Sequence, residues 1–254
     1  MTDIHDLFYE AMSEESLAKR KQILKRIIKK DHLFTDAYLE LMRIEDNDVY
    51  DRLRILDQCE ALAAEALMED DYDYFNPENI GSFYSMFETR PLMRVKYERF
   101  LNLMDVGYLA EAMMQGSEIL SLNESDNMGV RYPFFALLCA LDEYDVCLGF
   151  MKHWGRDIAF DLPLSMKYFS DGDLKNAKKY LKRIIEEVPD ALDGIFSGIE
   201  MDEHIDTYEY HSAEHLASIV QTIKSLIYPE YLLWVLEDQG IALPKEALPK
   251  KYSN

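Results

Sequence analysis

The sequence predicts an all-α protein, and three observations support this. Gly and Pro are scarce, at 10 and 8 of 254 residues, whereas helix formers such as Leu, Met, Glu, Lys and Ala are abundant. Apolar residues recur three and four positions apart along almost the whole chain. Alternating β-branched runs joined by Asn-Gly or Asp-Gly turns, which are typical of β-hairpins, are missing. A hydrophobic content of 48% is enough for a sizeable core.

Amphipathic helices are the first elements that the sequence predicts. Ser16–Lys30 places leucine and isoleucine residues on one face and lysine and arginine residues on the other. Thr35–Ile44 and Val49–Met68 show the same helical spacing. The next stretch, Glu69–Glu78, is acidic and contains a proline, so we expect a long loop or a hinge there.

A repeated pattern follows, in which one helix ends at a turn and a second helix packs back on it. The turns lie at Gly107, at Glu143 (where the glycine is replaced) and at Gly172, which are 36 and 29 residues apart. This spacing brackets the period of about 34 residues that is typical of tetratricopeptide repeats. The predicted helix pairs are Arg94–Leu103 with Ala110–Leu122, Tyr132–Leu141 with Tyr144–Trp154, and Leu164–Phe169 with Leu174–Val188.

Each of these hairpins is too thin to bury its own apolar face, so neighbouring hairpins must stack. We therefore predict an all-α, tetratricopeptide-like array of about six helical hairpins, that is, a curved two-layer α-solenoid. Residues 1–75 would form N-terminal hairpins, and residues 76–254 a repeat region with C-terminal capping helices, together as one continuous array. An irregular helical bundle is the alternative.

Charge restricts the partners that we expect for this chain. With 27 Lys and Arg against 48 Asp and Glu, the formal net charge is −21. Such a field repels phosphate backbones and anionic membranes, so neither nucleic acid nor a membrane is an expected partner. Basic residues concentrate in 19–30 and acidic residues in 45–78, which indicates two solvated helix faces of opposite charge.

The cysteines and the N-terminal residues indicate a cytoplasmic protein. Cys59, Cys139 and Cys147 form no C-x-x-C pair, so we interpret them as buried free thiols in a reducing compartment. Residues 1–12 lack the apolar stretch that is typical of a signal peptide. The longest apolar run, Pro133–Leu141, is too short to span a bilayer.

Three phrases carry a resemblance to a known group of proteins. They are IGSFYSMFETRPLMR at residues 80–94, ILSLNESDNMGVRY at 119–132 and YEYHSAEHLASI at 208–219, with a Trp-containing tail after them. In this order they resemble uncharacterised bacterial tetratricopeptide-like proteins, a group distantly similar to the suppressor of tumorigenicity 7 proteins. The resemblance covers about residues 76–236. It implies a helical-repeat fold and no known catalytic activity.

Polar residues within these phrases are the candidate binding site. First helices line the concave groove of a tetratricopeptide stack, so Arg94 and Arg131 could point into one groove. With Asn127 they would hold a carboxylate or another anion. Arg90 at the mouth of its helix and the aromatic Tyr132 complete the candidate set.

The alternative interpretation of the same segments is structural. The charged residues would pair with one another and fix the turns, and Asp126-Asn127 would form a turn that caps the next helix. The residues that would pair in this way are Glu88, Arg94, Asp126 and Arg131. Thr89 is then a possible N-cap, with Pro91 in the first turn of its helix.

A short segment near the end of the chain has the spacing of a zinc site. Residues 211–215 read HSAEH, which matches the H-x-x-E-H pattern of one class of zinc peptidase. Against this, Ser212 is a good helix N-cap, which would leave the first histidine outside the helix. We therefore predict no metal and no cofactor. The alternative ligands are His211, Glu214 and His215 in a metal-dependent hydrolase, with His204 and Glu203 added in a structural site.

The function that the sequence favours is a non-enzymatic scaffold that binds a protein or peptide segment in its groove. One alternative is a metal-dependent hydrolase that uses the HSAEH segment. Another is a homo-oligomeric structural protein, in which apolar end helices near Tyr231–Leu236 form a homodimer. No P-loop, G-x-S-x-G or dinucleotide-binding signature occurs in the sequence.

Overall fold

The chain is helical throughout the residues that the computed structural model describes, which are 3–201 and 209–241. Within these ranges it forms thirteen α-helices, and the only β character is an isolated bridge between Ser82 and Asn123. The prediction of an all-α protein is therefore confirmed. No helix of the described ranges is long and apolar enough to cross a membrane.

Two compact units divide the chain, Met1–Arg131 (unit 1) and Tyr132–Asn254 (unit 2). The boundary that we placed after residue 75 falls inside unit 1, in the loop between its fourth and fifth helices. The helices of unit 1 are α1 (Ile4–Ser13), α2 (Leu17–Lys30), α3 (Thr35–Ile44), α4 (Val49–Met68), α5 (Arg90–Asp105) and α6 (Leu109–Leu122).

In unit 1, each helix packs against the one before it, and α5 also packs against α3. The apolar faces seen in the sequence form the core: Leu24 and Ile27 are buried between α1 and α3, and Leu56 of α4 is buried near Val95 of α5. Helix α5 begins four residues before the predicted start at Arg94, because Pro91 is well suited to a first helical turn.

Unit 2 contains two helices that are buried along almost their whole length. The helices are α7 (Arg131–Ala140), α8 (Tyr144–Trp154), α9 (Ile158–Ser170), α10 (Leu174–Glu187), α11 (Ala191–Glu200), α12 (Ala213–Ile223) and α13 (Pro229–Asp238). Every residue from 132 to 139 in α7 and from 158 to 166 in α9 is buried. A helix that is apolar on all sides belongs inside a core, and these two fit that rule.

The predicted hairpin turns are present, with one correction. Gly107 and Gly172 have φ values of 77° and 75°, the left-handed conformation that glycine adopts readily at the end of a helix. In the hairpin of α7 and α8, the left-handed residue is Asp142, with φ of 62°, and not Glu143 as predicted. Glu143 instead precedes α8 as its N-cap. Asp is among the few other residues that tolerate this conformation.

Candidate functional site

A row of charged residues lies where α3 and α5 run side by side in unit 1. On α5, three of these residues are four positions apart and therefore share one stripe of the helix. On α3, the facing residues are three and four positions apart. We call this surface the α3–α5 face, and it consists of Asp36, Glu40, Arg43, Arg90, Arg94 and Glu98.

Arg94 links the two helices through a two-pronged ion pair with Asp36. Its Nε lies 2.8 Å from Oδ1, and one terminal guanidinium nitrogen lies 2.5 Å from Oδ2. The Arg94 side chain keeps 36% of its surface exposed, and that of Asp36 19%. Bidentate geometry makes this the strong form of the Arg–carboxylate contact. The charge of Arg94 is therefore already paired, as the structural interpretation requires, but with a partner that the sequence analysis did not name.

A second arginine crosses between the same helices. Arg43 of α3 contacts Glu98 of α5, and it also contacts Glu40 at 2.5 Å on its own helix. Burial opposes the charge of Arg43, but the two carboxylates outweigh it and raise the pKa of the guanidinium further. The α3–α5 face is thus held by two cross-helix ion pairs.

Arg90 lies at one end of this face, against an exposed aromatic ring. Its Nε donates a hydrogen bond to the carbonyl oxygen of Tyr84 at 3.0 Å. Its guanidinium carbon lies 4.1 Å from the centre of the Phe87 ring, within the range of a cation–π contact. Phe87 itself is 74% exposed. The hydroxyl of Thr89 donates to the carbonyl oxygens of Phe83 and Met86, which fixes the segment that carries the ring.

Arg131 and Asn127 lie in unit 1, at the turn before α7. Buried Asp126 accepts hydrogen bonds from the backbone N–H of Val130 at 2.7 Å and of Arg131 at 3.1 Å. It also accepts one from the Arg131 guanidinium at 3.0 Å. Burial raises the pKa of Asp126, although these contacts oppose the shift. The predicted turn at Asp126-Asn127 is confirmed, and Asn127 is exposed beside it.

Tyr132 belongs to unit 2, where it forms a polar corner with three other residues. Its hydroxyl donates to Oδ2 of Asp157 at 3.1 Å, and the hydroxyl of Tyr210 donates to the same oxygen. Burial, followed by the hydrogen bond to Asp157, raises the pKa of Tyr210. The Tyr132 ring also meets the His215 ring edge to face. Of the five candidate residues, Arg90 and Arg94 therefore lie on one stripe of α5, and Asn127 and Arg131 lie at one turn.

The HSAEH segment begins α12 in the way that the capping argument predicted. The hydroxyl of Ser212 accepts a hydrogen bond from the backbone N–H of His215 at 3.1 Å. His211 lies outside the helix with φ of 64°, and its N–H donates to Nδ1 of His215 at 3.2 Å. His215 is buried and Glu214 is exposed. One imidazole nitrogen of His215 thus accepts a hydrogen bond from the backbone, and the side chain of Glu214 is exposed to solvent.

Metal-ligating side chains do not cluster within residues 3–201 and 209–241: no group of three His, Cys, Asp or Glu there could hold a metal ion. Two ligands of the alternative structural site, His204 and Glu203, lie outside the described residues. Of the histidines in the zinc hypothesis, the described residues include His211 and His215.

Helix α13, the candidate dimer element, buries Tyr231 inside unit 2. Tyr231 is fully buried, and its hydroxyl donates to Oγ of Ser165 at 2.8 Å. Trp234 packs against Phe169 of α9, with ring centres 5.2 Å apart. Part of the apolar pattern of Tyr231–Leu236 is therefore explained by packing within the unit.

Sequence reasoning identified Arg90 and Arg94 on this face, but it did not identify Arg43 or the acidic partners. Asp36 and Glu98 were not singled out, because helical periodicity shows which residues share a face but not which helix will lie opposite. The available signal was the charged stripe of α3, where Asp36, Glu40 and Arg43 are spaced three and four residues apart.

Comparison of the chain with protein-family models, curated proteins and solved structures finds no match.

Proposed function

We propose that this chain is a non-enzymatic, tetratricopeptide-like scaffold that binds a peptide segment on the α3–α5 face. The packing of unit 1 supports the repeat architecture, because α5 lies against both helices of the preceding pair, α3 and α4. The left-handed turn residues Gly107, Asp142 and Gly172 recur at intervals of 35 and 30 residues. The resemblance of residues 80–132 to bacterial tetratricopeptide-like proteins points the same way. Three buried free thiols favour a cytoplasmic location.

The observation that carries the binding proposal is the exposed Phe87 ring with the half-buried Arg90 against it. Phe87, at 74% exposure, is the most exposed large hydrophobic side chain in the part of the chain that the structure describes, and covering such a ring removes apolar area from water. Aromatic and arginine side chains are the types that most often dominate binding energy at interfaces. Arg90 holds the ring from one side, so the ring is presented in a fixed position and loses little entropy on binding.

The neighbouring ion pairs restrict which side chains the bound segment needs. Arg43 and Arg94 are already paired with carboxylates, so they contribute shape and orientation more than free charge. Arg90 has a backbone carbonyl and two rings as its contacts, and its charge can therefore attract a carboxylate. We propose a segment in which an acidic side chain follows or precedes an aromatic or aliphatic one.

A peptide selection tests this proposal directly. Random peptides displayed on phage would be selected on the full-length protein at low salt, because contacts of this kind are screened at high salt. Selected peptides should combine an acidic and an aromatic or aliphatic residue. Their Kd should rise roughly tenfold or more for the double variant Phe87→Ala/Arg90→Ala.

A matched control removes the same side-chain types from another surface of unit 1. Tyr50 and Arg54 lie on α4, and both are exposed. The variant Tyr50→Ala/Arg54→Ala should bind the selected peptides as the wild type does, and both double variants should keep the wild-type Tm. Peptides that bind all three proteins equally would contradict the proposal. Arg94→Ala and Arg131→Ala are poor tests, since each leaves a buried or half-buried carboxylate unpaired.

A further inference from the structure

Two cysteines face each other across the α7–α8 hairpin. The sulfur atoms of Cys139 and Cys147 are 3.8 Å apart and share a hydrogen bond. Both side chains are buried, at 5% and 2% exposure, and both thiols are free. A disulfide requires the two sulfurs to approach to about 2.05 Å, so a small adjustment of two side chains would bring them within bonding distance.

A small cavity lies beside this dithiol, within unit 2. Its volume is about 40 Å³, and its lining includes Cys139, Cys147, Glu143 and Lys167. On this measure a single water needs about 10–15 Å³, so a molecule of the size of water or hydrogen peroxide fits. An organic hydroperoxide with a bulky substituent does not.

The surroundings make the two thiols chemically unequal. Cys147 closes the first turn of α8, where its N–H donates to the carbonyl oxygen of Glu143 at 2.9 Å. The hydrogen bond between the two thiols lowers the pKa of Cys147 and outweighs its burial. The same hydrogen bond, together with burial, raises the pKa of Cys139. The positive charge of Lys167 favours the thiolate at both positions.

We propose that Cys139 and Cys147 form an oxidisable dithiol that reacts with hydrogen peroxide admitted through the small cavity, Cys147 as the attacking sulfur and Cys139 as the resolving one. Nothing in this proposal depends on peptide binding at the α3–α5 face, which lies in unit 1.

The chemistry proceeds in two steps. The Cys147 thiolate attacks one peroxide oxygen, so that an S–O bond forms, the O–O bond breaks and hydroxide leaves; the sulfur is oxidised to a sulfenic acid. The Cys139 thiol then attacks that sulfur. An S–S bond forms, the S–O bond breaks, and the hydroxyl group leaves with the thiol proton as water. One peroxide and two thiols therefore yield one disulfide and two waters.

The third cysteine is a matched internal control. Cys59 is also buried and free, but it lies in unit 1, and burial raises its pKa to about 12. The reduced full-length protein would be treated with hydrogen peroxide, quenched, alkylated and digested for mass spectrometry. The peptides containing Cys139 and Cys147 should appear linked, with the loss of two hydrogen atoms. Their thiols should disappear at least roughly tenfold faster than that of Cys59.

Single variants then separate the two roles. Cys139→Ser should stop at a sulfenic acid on Cys147, which dimedone traps, whereas Cys147→Ser should leave Cys139 reduced. Cys59→Ser should behave as the wild type. If a Cys139 or Cys147 variant melts at a lower temperature, the wild-type kinetics alone still decide the outcome. Oxidation of Cys59 at the same rate, or accumulation of sulfinic acid without a disulfide, would overturn the proposal.

Two further measurements address the cavity and its charge. Cumene hydroperoxide should react with the dithiol at least roughly tenfold more slowly than hydrogen peroxide, because it does not fit the cavity. Lys167→Met should slow the reaction several-fold, and Lys167→Arg, which keeps the charge, should restore most of the rate. Equal rates with both peroxides would show that the sulfurs are reached by a route other than the cavity. No effect of Lys167→Met would show that the charge of Lys167 does not assist the reaction.

Discussion

Helices α5 and α9 each pack against several helices of their own unit, yet they are stabilised by different chemistry. Helix α5 reaches its neighbours through charged side chains: Arg94 pairs with α3, and Lys96 pairs with carboxylates of α4 and α6. Helix α9 presents apolar residues on all sides, and the one charged residue in its buried stretch, Asp161, is paired with Arg156 and Arg183.

The difference shows two ways to fix a helix among others. Apolar burial contributes most of the stabilisation but tolerates small shifts, because it has no direction. Ion pairs between helices contribute less, since desolvation offsets their attraction, but they hold a single register. In unit 1, the exposed Phe87 and the half-buried Arg90 lie beside α3 and α5, whose register is fixed by ion pairs. We therefore expect unit 2 to depend on packing and unit 1 on pairing.

The largest effect is expected where the apolar core of unit 2 is opened. Phe135 of α7 is fully buried and packs against Phe160 of α9, with ring centres 4.5 Å apart. Phe135→Ala should reduce the free energy of unfolding by about 3–5 kcal/mol, because it leaves a cavity in a closely packed core. Urea unfolding followed by circular dichroism would measure this. Phe87→Ala, at an exposed position of unit 1, is the control and should change it by less than about 0.5 kcal/mol.

The ion pairs of unit 1 should give the next largest effect. The Nζ of Lys96 lies 2.5 Å from Glu60 and 2.8 Å from Glu118, and only 7% of the Lys96 side chain is exposed. Lys96→Met keeps most of the volume but leaves two carboxylates without their cation, so a loss of about 2–3 kcal/mol is expected. The loss is reduced by the partial exposure of both partners.

A control for this prediction lies on the surface of unit 2. Lys182 pairs with Glu186 at 3.4 Å, and both side chains are mostly exposed. Lys182→Met should cost less than about 0.5 kcal/mol in the same urea experiment. Equal losses for Lys96→Met and Lys182→Met would remove the contrast between the two units.

Close helix contact in unit 2 offers a third test. A Cβ added to Gly198 of α11 would lie 2.5 Å from the backbone oxygen of Ala217 and 2.7 Å from the side chain of Val220, both in α12. Gly198→Ala should therefore force the helices apart and cost about 2 kcal/mol, despite the better helix propensity of alanine. Gly149→Ala in α8 is the control, since its Cβ would meet nothing. A raised Tm for Gly198→Ala would show that α11 and α12 pack less closely than described.

The smallest expected effect is a dependence of folding stability on pH, through Tyr231. Burial raises the pKa of Tyr231, although its hydrogen bond to Ser165 opposes the shift. The folded state therefore keeps this proton above the pH of about 10 at which the unfolded chain loses it. Tyr231 thus contributes stability that is complete below pH 10 and is lost as pH rises further.

The variant Tyr231→Phe isolates this contribution. At pH 7 it should be about 1 kcal/mol less stable than the wild type, because one buried hydrogen bond is lost. Between pH 10 and 11 the free energy of unfolding of the wild type should fall by up to about 1.4 kcal/mol more than that of the variant. The difference in stability between the two proteins should therefore shrink or reverse. Urea unfolding at pH 7, 10 and 11 measures it. A difference that stays constant would mean that Tyr231 is accessible to solvent.

Helical periodicity predicted the bounds of the amphipathic helices well, but it predicted those of α9, one of the two buried helices, poorly. The predicted bounds of α3 and α4 match the structure, because each has one apolar and one polar face. Only 164–169 of α9 was recognised, since its earlier residues are apolar on every side and include Pro163, which removes a backbone donor. Helix α7 is also buried along 132–139, but its predicted bounds, Tyr132–Leu141, differ from the observed ones by one residue, so burial alone does not hide a helix.

The candidate site was predictable only in part, for a related reason. Arg90 and Arg94 stood out from a sequence phrase, and they do share a surface of α5. Their neighbours across that surface are fixed by tertiary packing, which depends on contacts between residues far apart in the chain, such as Asp36 with Arg94. The pairing of Arg131 with Asp126 was anticipated because it is local.

Asp142 has a consequence for how this chain could gain or lose helical hairpins. Its carboxylate receives the Nζ of Lys167 at 2.6 Å, and Lys167 also contacts Asp171 beside the next turn. One lysine thus joins the turns of two successive hairpins, a contact that glycine at position 142 could not make. A duplicated hairpin inserted here would need its own lysine and its own acid. We expect this joint to restrict insertions and deletions to other turns, where glycine imposes no such partner.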